Sequence, residues 1–395
     1  MSSHSTLPPA SEIALAHSQK VQETIHNAIN KAGGWISFAH YMDVSLYAPG
    51  LGYYSGGATK FGDAGDFVTA PEISPLFSRT LAHQVLQVCE QIANPHILEF
   101  GAGSGKLALE LLLELERHDA LPEKYFILEV SADLHQRQKA LFMDRAEHLL
   151  PLIEWLEQLP DSFNGIMLAN EVLDAMPVHL VEWQGNEVFE RGVTWQNDQF
   201  AWQQRPIKDA ALNTAANKLA AQINPDNDPE IHYVSEINLA AGQFIHSLAN
   251  SLQQGAIILI DYGFGSGEYY HPQRNQGTLM CHYRHHAHDD PFYLPGLQDI
   301  TSHVDFSALV DATQDTDLTL LGYTNQAHFL INCGITEILA QTPTEDINNY
   351  LPQANQLQKL VSPAEMGELF KMIAFGKNIS QPLIGFKGGD MSRLL

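Results

Sequence analysis

The sequence predicts an α/β fold built on a doubly wound, mostly parallel sheet, and three observations carry that prediction. The apolar run Ile97-Leu98-Glu99-Phe100 breaks into glycines at 101, 103 and 105 and turns into a helical pattern from Lys106 to Arg117. That is strand, tight turn, helix. Short apolar runs and helical patterns then alternate, a pattern that builds parallel strands joined by right-handed crossovers. A later apolar run, Ala256 to Asp261, is the most hydrophobic strand of the second half.

Taken in order, residues 1–16 are rich in Ser, Pro and His and read as a flexible tail. A lobe of helices and loops is expected over 17–92, and the sheet domain over 93–395 with an insertion at about 178–250. Val21, Ile25, Ala28, Ile29 and Ala32 share one helical face that ends at Gly33-Gly34. Trp35 to Phe77 carries so many Gly, Pro and Tyr residues that it reads as a loop held by packing, and Ser78 to Ile92 reads as a helix. Tyr125 to Val130, Leu152 to Trp155 and Gly165 to Ala169 are strands, with Ala132 to Phe142 a helix between the first two. Val178 to Trp183 and Glu187 to Trp195 alternate around Gly185-Asn186 as a hairpin, which Phe200 to Trp202 extends. Asp209 to Gln222 and Ser235 to Leu252 are helical in pattern, the second capped at Gly255. Gly263 to Ile300 reads as a polar loop, Val304 to Ala312 as a helix, Leu318 to Tyr323 and Lys371 to Phe375 as strands.

Charge narrows the partners. Lys+Arg of 21 against Asp+Glu of 46 gives a formal charge of −25, which repels phosphate backbones and anionic lipid, so neither nucleic acid nor membrane is an expected partner. A cationic partner fits better. Cys89, Cys281 and Cys333 are scattered without a CxxC pair, which points to a reducing compartment, and a cytoplasmic location is expected.

Spacing separates the phosphate-binding readings of the glycine turn. A Walker A loop requires glycine five positions before Gly105-Lys106, where Phe100 stands, so a P-loop is excluded. A dinucleotide fingerprint is only half met, since Lys106 occupies the third glycine place. Glu99 decides further, because a carboxylate beside the turn repels a pyrophosphate but attracts an ammonium or a sulfonium, and S-adenosylmethionine carries both. Glu129, at the end of the next strand, is placed to accept hydrogen bonds from ribose hydroxyls.

Further motifs lie at Leu46 to Tyr54, Gly65 to Ser74, Asn170 to Val178, Asp261-Tyr262-Gly263 and Asp299 to Phe306. Together with Glu99 to Gly105 they make the chain resemble the class I S-adenosylmethionine-dependent methyltransferases, with their Rossmann-like sheet, and within them the MidA family. The resemblance spans about residues 35–390. It implies protein arginine methylation as in the mitochondrial members, an arginine-bearing protein substrate such as a respiratory-complex subunit, and S-adenosylmethionine as cofactor. A homodimer is left open. Implied cofactor residues are Phe67, Thr69, Glu99, Gly101, Ala102, Gly103, Gly105, Glu129, Val130, Asn170 and Glu171.

On the acceptor side the implied residues are Glu171, Asp174, Asp261, His303 and Asp305. A guanidinium stays protonated in water, so its methylation requires carboxylates that hold it in a fixed fork. Glu171 is the first candidate, and Asp174, three positions on, shares its face if the segment is helical. The plainer alternative is a helix start with Asn170 as cap. Asp261 is either a further carboxylate on the acceptor side or a turn cap. Gly65 to Glu72, with Phe67 and Thr69, is expected to fold over the cofactor, and His303 and Asp305 to organise a substrate loop. No metal is expected, since Pro291 and Pro295 make the stretch His282 to His288 a loop, and Tyr47, Tyr53 and Tyr54 read as core. Two rival functions remain: an assembly factor of weak activity that binds a partner protein, and a small-molecule methyltransferase.

Overall fold

The computed structural model describes residues 7–56 and 68–395. The central sheet contains β1 (His96–Phe100), β2 (Lys124–Leu128), β3 (Ile153–Leu156), β4 (Phe163–Asn170), β5 (Leu252–Phe264), β6 (Thr319–Asn325) and β7 (Phe370–Lys377). Their order is β3-β2-β1-β4-β5-β7-β6. The pairs β1–β2, β2–β3, β1–β4 and β4–β5 are parallel. β7 inserts between β5 and β6 and runs antiparallel to both. β5 is buried from Ala256 to Asp261 because helices cover both faces, which is why it reads as an unbroken apolar run. Gly165 permits the tight β1–β4 approach: a Cβ there would stand 1.9 Å from the His96 carbonyl oxygen.

The helices used below are α1 (Glu12–Lys31), α2 (Phe38–Tyr47), α3 (Pro75–Cys89), α4 (Lys106–Arg117), α5 (Ala132–Arg145), α6 (Ala210–Ile223) and α7 (Leu239–Ser251). α4 buries Leu107, Leu111, Leu112 and Leu115 at helical spacing against the sheet. Among the described residues no helix is long and apolar enough to cross a membrane.

A second sheet holds Ile36–Ser37, Glu187–Gln196, His179–Gln184 and His232–Ile237 in that order, with Gln199–Pro206 paired to Glu187–Gln196. Its edge strand comes from the N-terminal part of the chain, with Ile36 paired to Val193. Val21, Ile25, Phe38 and Tyr41 therefore share a core with Val178, Leu180, Val193 and Phe200.

Several sequence expectations change. α1 begins at Glu12, inside the stretch read as tail, because Ser11 caps it by accepting from the Ala14 N–H. α2 occupies part of the expected loop. Residues 235–252 are not one helix: the chain is strand to Ile237 and helix from Leu239, and Gly255 lies within β5 at φ +142°. The region 263–300 contains the strands Met280–Tyr283, His286–His288 and Asp299–Thr301. The histidine stretch is thus a hairpin, turning at Arg284 and His285 with φ of 48° and 63°.

Candidate active site

Strand order reverses between β1 and β4, and a crevice opens there at the carboxyl ends of the strands, as in open α/β sheets generally. The cleft has a volume of about 260 Å³ and brings the glycine turn after β1 opposite the segment after β4. Gly101, Gly103 and Gly105 hold φ of 61°, 53° and 84°, a left-handed path that side-chain-bearing residues adopt only under strain. Ser104 and Lys106 anchor the turn by donating to Glu72, so Thr69, Pro71 and Glu72 wall one side. Phe67 lies outside the described residues.

Glu99, Gly101, Ala102, Gly103, Glu129, Val130, Asn170 and Glu171 all line this cleft. Gly105 does not; it is the N-cap of α4, one step behind the lining. Glu99 is 2% exposed and accepts from the Tyr125 hydroxyl at 2.6 Å. Burial pushes its carboxyl up to about 7, against the lowering effect of that bond. Glu129 accepts from the Ser131 N–H at 2.8 Å and from Gln138 Nε2 at 3.3 Å, so its orientation is fixed.

Glu171 follows β4 in no helix. Its φ is +53°, and its N–H donates to the Ile260 carbonyl at 2.8 Å, which pins the residue between β4 and β5. Burial, and then the neighbouring Asp174, push its carboxyl up to about 8. Asn170 Nδ2 donates to it at 3.1 Å. Asp174, raised to about 6 by burial, is close enough to interact but shares no helical face with Glu171; the three-residue spacing works through a turn.

Three further candidates lie elsewhere. Asp261 is fully buried and accepts from the N–H groups of Leu173 and Asp174 at 2.9 and 3.2 Å. It holds the turn that carries Glu171 and does not line the cleft. His303 and Asp305 line a second cleft of about 440 Å³ between α6, α7 and the helix Phe306–Asp311. Asp305 caps that helix, accepting from Ser307 and Ala308 N–H at 3.0 and 3.3 Å. His303 lies edge-on to Tyr262, and burial, with Arg274 and Lys371, lowers it to about 4. Neither lines the first cleft.

Sequence reading missed Tyr47, Tyr54 and Phe244. The two tyrosines, read as core, line the cleft with rings stacked at 5.5 Å. Tyr47 donates to the Ala175 carbonyl at 2.9 Å and Tyr54 to Asp299 Oδ1 at 2.8 Å. The motif Leu46 to Tyr54 was the available signal. Phe244 arrives on α7, packed edge-on to Phe100, and carried none.

These residues fit an adenosyl sulfonium cofactor. The glycine backbone leaves room where a Cβ at Gly101 would already crowd Val172 at 3.2 Å. Carboxylates face the cleft at two strand ends, and Asn170 Oδ1 is buried there with no hydrogen-bond partner among the described residues.

The cleft and the sheet order define a class I, Rossmann-like methyltransferase. Residues 80–324 match the family described as "Putative S-adenosyl-L-methionine-dependent methyltransferase", and the chain belongs to that family, of MidA type. It is an S-adenosylmethionine-dependent methyltransferase. A Burkholderia thailandensis protein crystallised with S-adenosyl-homocysteine is 48% identical, with a TM-score of 0.93 over 99% of this chain and 100% of its own. The zebrafish (Danio rerio) protein arginine methyltransferase NDUFAF7, mitochondrial, is 29% identical over 87% of this chain and 84% of its own, and the human one 28% over 87% and 80%. These names overturn the cytoplasmic expectation, since the curated relatives are mitochondrial. Unpaired cysteines do not tell cytosol from mitochondrial matrix, both of which keep thiols reduced.

Proposed function

We propose that the methyl acceptor is an arginine of a protein, held by Glu171 with Asp174 behind it. One observation carries this reading: two carboxylates stand beside the cofactor cleft, Asp174 raising the pKa of Glu171, and Asp174 Oδ1 accepts no hydrogen bond among the described residues. Such a pair is destabilised alone and relieved by a cation, and a guanidinium offers forked donors to match it. The names of the arginine methyltransferase relatives support the same acceptor.

S-adenosylmethionine supplies the electrophilic methyl group. Glu99, Glu129 and Asn170 hold the cofactor's amino acid and ribose ends, and the glycine turn receives it by close backbone approach. Glu171 orients the guanidinium so that one nitrogen faces the methyl and then accepts the proton that this nitrogen loses. Tyr47 and Tyr54 close the cleft and keep water from the reacting atoms. The chain's charge of −25 favours a basic protein segment, a respiratory-complex subunit among them.

The test is to incubate the protein and a mitochondrial or bacterial extract with methyl-labelled S-adenosylmethionine, then hydrolyse the labelled proteins. Methylarginine is the expected product. Label found only in lysine, in a carboxyl ester or in small molecules would overturn the acceptor assignment.

A further inference from the structure

On the face of α3 and α4 remote from the cleft, two imidazoles and a carboxylate converge. His83 Nε2 lies 3.8 Å from Glu114 Oε1, and His118 Nε2 lies 3.7 Å from the same oxygen. The three ligand atoms all fall within 4.8 Å of one another. We propose that His83, Glu114 and His118 form a binding site for a divalent transition-metal ion of the zinc type.

Geometry separates this from an ordinary ion-paired cluster. At 3.7 and 3.8 Å neither imidazole hydrogen-bonds Oε1, and His83 Nε2 is buried with no hydrogen-bond partner among the described residues. His83 Nδ1 sits 2.9 Å from the Cys333 carbonyl, an acceptor only, so Nδ1 carries a proton and, in the neutral ring, Nε2 offers its lone pair. Metal-bound histidines are oriented in this way, the second ring nitrogen donating to a carbonyl or carboxylate. Ligand atoms about 2.0–2.1 Å from a tetrahedral zinc stand roughly 3.4 Å apart, so closing the shell requires shifts of a few tenths of an ångström toward Glu114 and up to about 1.4 Å between the two imidazoles. His118, at the exposed C-cap of α4, has the freedom to make them. Its exposure also leaves the fourth position to water.

Glu114 divides its two oxygens. Arg79 and Arg117 both bind Oε2, which keeps the buried carboxylate ionised and turns Oε1 toward the histidines. The same guanidiniums repel a cation, so this site is weaker than a closed structural zinc centre. It is not a catalytic centre: about 12 Å of α4 separates Glu114 from the glycine turn, and about 18 Å separates His118 from it. Bound metal would clamp α3 to the far end of the helix that starts at that turn, with Cys333 as a third attachment.

The test uses tag-free, chelator-treated protein titrated with Co2+, followed by visible absorption, and with Zn2+, followed by thermal melting. One equivalent of Co2+ with four-coordinate-type bands is expected, and Zn2+ should raise the melting temperature. His118→Ala, an exposed position, should weaken Co2+ binding at least about tenfold and abolish the Zn2+ shift, while S-adenosylmethionine binding by calorimetry stays as in wild type. His83→Ala should do the same. The double variant His285→Ala, His286→Ala, at the exposed hairpin tip, should bind as wild type. Co2+ binding unchanged in His118→Ala, or bands of the hydrated ion throughout, would overturn the site.

Discussion

The two clefts described above are both lined by hydrogen-bonded carboxylates, and they differ in the polar oxygens that stand beside them. In the second cleft Glu236 accepts from the N–H groups of Thr278 and Leu279 and from the hydroxyls of Thr278 and Tyr269. Asp305 accepts from two helix N–H groups. In the first cleft Asn170 Oδ1 accepts nothing among the described residues, nor does Asp174 Oδ1 just behind the lining, and Glu171 sits in a strained backbone conformation. A raised pKa does not distinguish the two, because burial lifts Asp305 to about 7 just as it lifts Glu99. Unfilled oxygen acceptors do, since the buried side-chain atom left unpartnered in the second cleft among the described residues is His303 Nδ1, a ring nitrogen. They mark the place where a ligand completes the structure, whereas filled carboxylates hold the chain together.

Breaking the first cleft should have the largest effect. Glu171→Gln keeps the shape but removes the charge and the proton acceptor, so labelled methyl transfer should fall about 100-fold or more while cofactor affinity stays within a few-fold. Equal loss of both would make Glu171 a cofactor residue alone. Gly103→Val places a branched residue at φ +53°, a strain of about 1–2 kcal/mol, and calorimetry should show cofactor binding weakened about tenfold or more.

Acid should act on the same cleft. Glu171 titrates near 8 in the free protein, and only its ionised form pairs with a guanidinium, so the rate at limiting acceptor should rise with pH toward 8. Well below that value the fall approaches tenfold per pH unit. Glu171→Gln should flatten the profile, and an unchanged profile in that variant would detach the titration from Glu171. The smallest effect belongs to the second cleft. Asp305→Ala should cost about 1 kcal/mol of stability, as loss of a helix cap does, and leave cofactor affinity unchanged by calorimetry. A lost affinity in a folded Asp305→Ala protein would break the contrast between the clefts.

Local chemistry was legible in the sequence. Glu99 to Gly105 could be read as strand, turn and helix because hydrophobic period and positive-φ glycines act over a few residues. Glu129 and Asn170-Glu171 followed, since each ends a strand of the same alternation. His303 and Asp305 misled for the converse reason: the motif Asp299 to Phe306 is local, but which cleft its side chains enter depends on how β5 and the helix Phe306–Asp311 pack.

By itself, then, the sequence determined the sheet type, the glycine turn and the carboxylates at strand ends, all consequences of periodicity and backbone geometry within short windows. Only the tertiary structure decided that Ile36 pairs with Val193, that Tyr47 and Tyr54 reach the cleft, and that β7 runs backwards between β5 and β6. It also decided that His83 meets Glu114 and His118. Each of these joins residues that are distant in the chain or turns on a direction of approach, and such contacts are selected by the burial of whole faces, which no local pattern encodes.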